Sequence, residues 1–254
     1  MIFVYVVGTA GSGKSSLTRA FREWCLRNRY DAITVNLDPG VVNLPYTPDV
    51  DVREWISLEE VMEDYGLGPH GAQVVCADML ALNAVEVEER IGEFRTEYVL
   101  MDTPGQLELF VFRSTGKVMV EQLDPRQSLL AFVIDPALAT TPTNFVSQLM
   151  LSAITQFRMG IPLLNLLSKI DIVEREALDM MLTWGKKPER LYQDVMVKSP
   201  TLHYQFSQGL LTIIKEMEAH TSLLPVSNET LEGMEDLYTS IQHIFMGGED
   251  LEPE

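Results

Sequence analysis

The 254-residue chain is short of cysteine, of positive charge and of long apolar runs. Its two cysteines, Cys25 and Cys76, cannot form a disulfide framework and lack metal-ligand spacing, so they read as idle thiols in a reducing compartment, which makes the protein cytoplasmic. Lys and Arg number 19 against 37 Asp and Glu, a formal net charge of −18. So negative a surface repels phosphate backbones and anionic leaflets, which argues against nucleic-acid and membrane partners. Any anionic ligand must then be held by a local set of donors. No apolar run reaches the roughly 18 residues of a membrane span; the stretch Ser128 to Val133 is soon stopped by Asp135 and Pro136. The apolar start, Met1 to Val7, has no basic residues before it and enters a glycine-rich turn, as a buried first strand does and a signal peptide does not. His203, His220 and His243 fall in predicted helices without metal spacing. With 46% hydrophobic residues, on the other hand, the chain has ample material for a core, and disorder is excluded.

Short apolar runs bounded by turn residues alternate with longer segments of helical period, which predicts an α/β fold with a mainly parallel sheet. Strands are expected at Ile2–Val7, Ala32–Asn36, Tyr98–Met101, Leu129–Ile134, Leu163–Leu167 and Leu223–Val226. Helices are expected at Lys14–Arg29, Leu58–Tyr65, Ala72–Ile91, Leu107–Gln122, Thr143–Met159, Arg175–Leu182, Thr201–His220 and Leu231–Phe245. No repeat and no linker divides the chain, so residues 1–246 are read as one domain carrying a helical insertion near 175–220, with 247–254 as a flexible acidic tail.

Between the first strand and first helix, Gly8-Thr9-Ala10-Gly11-Ser12-Gly13-Lys14-Ser15 fits G-x-x-x-x-G-K-[ST] in the context that motif requires. Glycines let successive N–H groups converge on a phosphate, and the helix dipole adds positive potential. Gly11, Ser12, Gly13, Lys14, Ser15 and Ser16 are therefore assigned to the phosphates, Lys14 to the terminal ones and Ser15 also to Mg²⁺. A three-layer P-loop nucleotide-binding fold follows.

At the end of the third strand, Asp102-Thr103-Pro104-Gly105-Gln106 sets an acid where it can hold Mg²⁺ through water and a glycine whose N–H can sense a γ-phosphate. Gln106 stands where an amide can orient water, and an exposed first-turn glutamine reads almost as well. Asn36-Leu37-Asp38-Pro39 ends the second strand, so Asp38 can approach the metal from the γ-phosphate side; the other reading is an Asx turn before proline.

Ser168-Lys169-Ile170-Asp171 lies where guanine-binding NTPases carry N-K-x-D. Asp171 would accept from the guanine ring N–H and amine, a donor pair adenine lacks, while the stem of Lys169 covers the base. Ser168 replaces asparagine, and its short hydroxyl is not expected to bridge the base and the phosphate loop. Ser227, after the last strand, can offer a backbone N–H to the guanine carbonyl.

G-T-A-G-S-G-K-S, N-L-D-P, L-P-Y (Leu44 to Tyr46), D-V-D-V-R-E (Asp49 to Glu54), D-T-P-G-Q and S-K-I-D together resemble the GPN-loop GTPases, from Ile2 to about Phe245. The resemblance implies the signal-recognition and MinD-like class of P-loop GTPases and a homodimer. The compact chain resembles archaeal members. The family's Gly-Pro-Asn loop reaches the partner's γ-phosphate in trans; Gly66 to Gly71 stands in its place, with Gly68 and Pro69 retained and His70 for the asparagine. An imidazole donates one hydrogen bond where an amide offers two, and a nearby phosphate would favour its protonated form. Thr9 stands where MinD-like relatives carry a signature lysine, so that trans cation is missing.

The leading expectation is a Mg²⁺-dependent GTPase that converts GTP to GDP and phosphate, with Lys14, Asp38, Asp102, Gln106 and His70 as catalytic residues, Ser15, Asp38 and Asp102 around the metal, and the dimer as a switch. A nucleotide or small-molecule kinase is the alternative, with Lys186, Lys187 and Arg190 as a basic lid. A nucleotide-gated assembly chaperone is a third reading; the resemblance points to clients such as RNA polymerase subunits.

Overall fold

The computed structural model describes residues 1–198 and 222–246. Among the described residues, seven strands form one sheet in the order β3-β2-β4-β1-β5-β6-β7, and every pair is parallel. The strands are β1 (Ile2–Gly8), β2 (Ala32–Asn36), β3 (Val50–Asp51), β4 (Tyr98–Asp102), β5 (Ser128–Ile134), β6 (Leu163–Leu167) and β7 (Leu223–Pro225). β1, β4 and β5 are buried at every residue, because a parallel sheet is covered on both faces and its strands read as continuous apolar runs.

Helices α1 (Lys14–Arg27) and α9 (Met234–Met246) cover one face, where Leu17, Phe21 and Leu237 pack against Val4 and Leu100. The other face is covered by α3 (Pro69–Leu82), α4 (Ala84–Gly92), α5 (Thr115–Leu123), α6 (Pro142–Met159) and α7 (Arg175–Lys186), whose Leu80, Val87, Met119, Phe145 and Trp184 join Phe3, Tyr5 and Phe132 in a second core. The result is the three-layer α/β architecture read from the sequence. α2 (Leu58–Tyr65) and α8 (Pro188–Lys198) complete the described helices.

One strand was not expected, and two expected helices need amendment. β3 is only two residues long, too short to show as an apolar run. The helix expected at Ala72–Ile91 starts at Pro69 and divides at Asn83, whose Nδ2 donates to Met79 O at 2.7 Å and so competes with the backbone ladder. The helix expected at Leu107–Gln122 is a π-helical turn at Glu108–Phe112 followed by α5. Carbonyls freed by this break are taken by Arg158 of α6, whose Nε and Nη2 lie 3.0 and 2.9 Å from Val111 O and Phe112 O. Of the helical insertion, α7 and α8 are seen; the helix expected at Thr201–His220, with His203 and His220, and the tail at 247–254 lie outside the described residues. His243 is exposed on α9.

Both cysteines are free and buried, and burial pushes the Cys25 thiol up to about 12. No helix among the described residues is long and apolar enough to cross a membrane.

Candidate active site

Because all strands are parallel, their carboxyl ends lie on one edge of the sheet, and β1 is central there. The segment after β1 turns through Gly11 and Gly13, both with positive φ (76° and 98°), and Gly13 caps α1 in the left-handed region. Gly8 must also be glycine: a Cβ there would lie 2.5 Å from Val133 O on the neighbouring strand. Gly11, Gly13, Lys14, Ser15 and Ser16 line a cleft of about 400 Å³ with Asp38, Asp102, Gly105 and Lys169. Most residues assigned to phosphate and metal are thus brought together. Ser12 is fully buried beneath them.

Lys14 is 6% exposed, and its Nζ donates to Gly8 O, Thr9 O and Gly105 O, each at 3.1 Å. Burial lowers its pKa, opposed by the charges of Asp102 and Asp38. The main-chain unit expected to sense γ-phosphate is held from both sides, since Gly105 N donates at 3.1 Å to Asp38 Oδ2. Asp38 Oδ1 accepts from Gly40 N at 2.9 Å, an Asx turn. Asn36 anchors that turn: its Oδ1 accepts from Asp38 N and its Nδ2 donates to Asp51 Oδ1. Asp38 therefore makes the Asx turn and also reaches the cleft.

Asp102 is 2% exposed. Its Oδ2 accepts from the Tyr46 hydroxyl at 2.8 Å, while Oδ1 is buried and has no hydrogen-bond partner. Burial pushes the carboxyl up to about 6 against the lowering pull of Ser15, Tyr46 and Lys14. An unpartnered buried carboxylate oxygen beside a serine hydroxyl is a hard-oxygen donor set that suits Mg²⁺, an ion that keeps several waters and needs few protein ligands. No group of three or more His, Cys, Asp or Glu able to hold a metal occurs among the described residues.

On the base side, Asp171 is exposed and its Oδ1 accepts from Ser227 Oγ at 2.7 Å. Ser227 N donates to Glu232 O at 3.0 Å, so the backbone N–H expected to meet the base is engaged, and Ser227 acts through its hydroxyl. Ser168 also differs from expectation. Its Oγ lies 2.9 Å from Ser12 O, so the short hydroxyl does reach the phosphate loop, because the loop and β6 close directly on one another. Lys169, at φ 55°, places Nζ 2.8 Å from Gly11 O and 2.7 Å from Asp135 Oδ2.

Of the five residues expected to be catalytic, Gln106 and His70 stay out of the cleft. Gln106 is exposed and lines a separate, more apolar hollow with Thr9, Ala10, Phe112 and Leu151. His70 is exposed in the first turn of α3, after Gly68 as N-cap and Pro69 at the first helical position; Gly66 to Gly71 is thus a short turn running into a helix rather than a loop throughout. Arg53 is tied to Asp51, with Nε 3.0 Å from both carboxylate oxygens, and donates to Val41 O at 3.1 Å.

Sequence reasoning missed three contributors. Tyr46 stands out in the sequence only as part of L-P-Y, Asp135 only as a break after a strand, and Asn228, whose Nδ2 donates to Gly13 O at 3.3 Å, only as the neighbour of Ser227. A tyrosine, an aspartate and an asparagine following strand ends of a parallel sheet was the available signal.

Residues 6–247 match a family model described as a conserved hypothetical ATP binding protein. The chain is 34% identical over 247 residues to GPN-loop GTPase PAB0955 of Pyrococcus abyssi, covering 94% of this chain and 95% of that one. It is 28% identical to GPN-loop GTPase 1 of Dictyostelium discoideum, covering 94% of this chain but spanning only 60% of that relative's length. The crystal structure of PAB0955, described as a GTPase in apo form, matches with a TM-score of 0.84 at 30% identity, covering 96% of this chain and 98% of that one.

Proposed function

The chain belongs to the GPN-loop GTPase family, and from that premise we propose that it hydrolyses GTP to GDP and phosphate as a magnesium-dependent, homodimeric switch. As a family member it is a GTP hydrolase. The observation that carries the reading is the meeting of Lys14, Asp38, Asp102 and Gly105 in one cleft, with Lys169 on its wall.

The chemistry of this proposal rests on positioning and charge, since phosphoryl transfer asks little covalent work of a protein. Glycine N–H groups and the start of α1 cradle the phosphates, and Lys14 exchanges its carbonyl partners for phosphate oxygens, neutralising charge that develops on the transferring group. A γ-phosphate oxygen accepts from Gly105 N–H in place of Asp38, and the released carboxylate of Asp38 then takes a hydrogen bond from the attacking water. Gln106, outside the cleft, leaves that task to Asp38. Mg²⁺, held by Ser15 and by Asp102 through its waters, would supply charge neutralisation at the β- and γ-oxygens.

The family model's description names ATP, whereas the relatives are named GTPases. The Asp171 carboxylate, held by Ser227, favours guanine, because it can accept from both the ring N–H and the amine. Dimerisation with His70 acting in trans is supported by the exposure of His70 outside its own cleft and by the apolar hollow beside the phosphate loop. In this reading, opening and closing of the dimer would gate the assembly of a client complex, with hydrolysis as the timer.

The test is phosphate release from GTP and from ATP, measured side by side with Lys14→Ala as the control. Preferred GTP turnover that vanishes in the variant supports the reading; preferred ATP turnover, or turnover indifferent to Lys14, refutes it. Sedimentation of wild-type protein with a GTP analogue tests the dimer, and His70→Ala should slow single-turnover hydrolysis without weakening nucleotide binding.

A further inference from the structure

We propose that Tyr46 is a positioning residue for the metal: its phenol holds one oxygen of Asp102 so that the other is presented to the magnesium shell. This role rests on the GTPase reading above and adds a residue to it.

A carboxylate can rotate about its terminal bond unless a donor fixes one oxygen. Here Tyr46 Oη donates to Asp102 Oδ2 at 2.8 Å, and Asp102 Oδ1 is left buried with no partner. The two oxygens of one side chain are thus unequal: one is committed to the protein and the other is available to a donor that enters the cleft. A buried acceptor with no partner is costly, and a water on a bound metal ion is the donor this cleft would receive. Groups that orient a metal ligand in this way typically contribute tenfold or more to affinity.

Tyr46 is itself held in place. The segment that carries it, from Val41 to Asp49, is tied at its start by Arg53 Nη1 to Val41 O at 3.1 Å. At its end, Asp49 accepts from Arg22 Nη2 and from Thr34 N, both at 2.8 Å. Fixed between these ties, the phenol reaches Asp102 from a residue 56 positions earlier in the chain. Its position is set by the scaffold, as a precise site requires.

The test uses the full-length protein, stripped of nucleotide and metal and then loaded with a fluorescent GDP analogue. Affinity for the analogue in EDTA and the MgCl₂ concentration at half-maximal response are both measured, for wild type and for Tyr46→Phe, which keeps the ring and removes only the donor. The expected result is a Mg²⁺ midpoint raised about 10-fold, with affinity in EDTA unchanged within about twofold and an unchanged far-UV circular dichroism spectrum. An unchanged midpoint overturns the proposal. A lowered midpoint also overturns it, because the phenol would then compete with the ion, and so does a fall in EDTA affinity as large as the fall with Mg²⁺, which would mark general damage. If instead the wild type itself shows no Mg²⁺-linked guanine-nucleotide binding, the GTPase reading fails at its base and the role of Tyr46 falls with it.

Discussion

Asp102→Asn should stabilise the protein while abolishing the magnesium-dependent GTP hydrolysis proposed above. The carboxyl is buried, and that burial raises it from 3.8 to about 6. The sign follows from which state binds the proton more tightly. Below pH ~4 the group is protonated both folded and unfolded and contributes nothing; as pH rises towards ~6 the unfolded chain releases the proton first, so stability falls, and above ~6 the full penalty is in force. A rise of about two units, at about 1.4 kcal/mol each, sets that penalty at up to ~3 kcal/mol. Asparagine can still accept from Tyr46, but its amide must find an acceptor where Oδ1 has no partner, so the net gain should be about 1–3 kcal/mol. Urea unfolding in EDTA at pH 4.0 and pH 7.5 measures it. At pH 7.5 the variant should unfold at higher urea than wild type, and at pH 4.0 the difference should shrink to nearly nothing or reverse slightly. A variant less stable than wild type by the same amount at both pH values would refute the reasoning, because Asp102 would then be a structural acceptor rather than a strained functional acid.

If Asp171 reads the base as proposed, Asp171→Asn should weaken GTP binding by at least about 100-fold, since a carboxylate able to accept from two guanine donors is replaced by a neutral amide, and should leave ATP binding unchanged; competition against a labelled nucleotide separates the two. Ser168→Ala leaves the buried Ser12 carbonyl without its 2.9 Å donor and should cost about 1–2 kcal/mol in denaturant unfolding, with nucleotide affinity falling alongside. Gly233→Ala should cost at least about 3 kcal/mol, because a Cβ at φ 80° would lie 2.0 Å from Pro225 O and force the β7–α9 junction apart; a melting temperature near that of wild type would contradict it.

The sheet was readable because buried parallel strands announce themselves as unbroken apolar runs. Ala32–Asn36 and Leu163–Leu167 agree to the residue with the strands observed. The breaks in the helices were not readable, since the π-helical turn before α5 depends on Arg158, which reaches it from α6, and on Thr115, whose hydroxyl donates to Ala77 O. Neither partner lies in the local pattern. The loop after β1 stood out because glycines at fixed spacing, Gly8, Gly11 and Gly13, run into Lys14 between a strand and a helix. Tyr46, Asp135 and Asn228 join the site through single long-range bonds, and a lone side chain on a loop has no periodicity to betray it. The contact of Ser168 with the phosphate loop was not legible for a related reason: the reach of a short side chain depends on how closely two backbones approach, and spacing along the chain does not encode that distance.

A sheet in which all strands run the same way has two dissimilar rims, and, His70 apart, the residues assigned to catalysis, metal and base lie along one of them or in the segments that leave it. The turns that enter the strands, such as Asp124 to Gln127 before β5, belong to the other. Arg126 there is widely exposed, with 89% of its side chain open to solvent. A handle attached at that point, whether a dye, a surface linker or a fused protein, would leave the cleft facing outward and unobstructed.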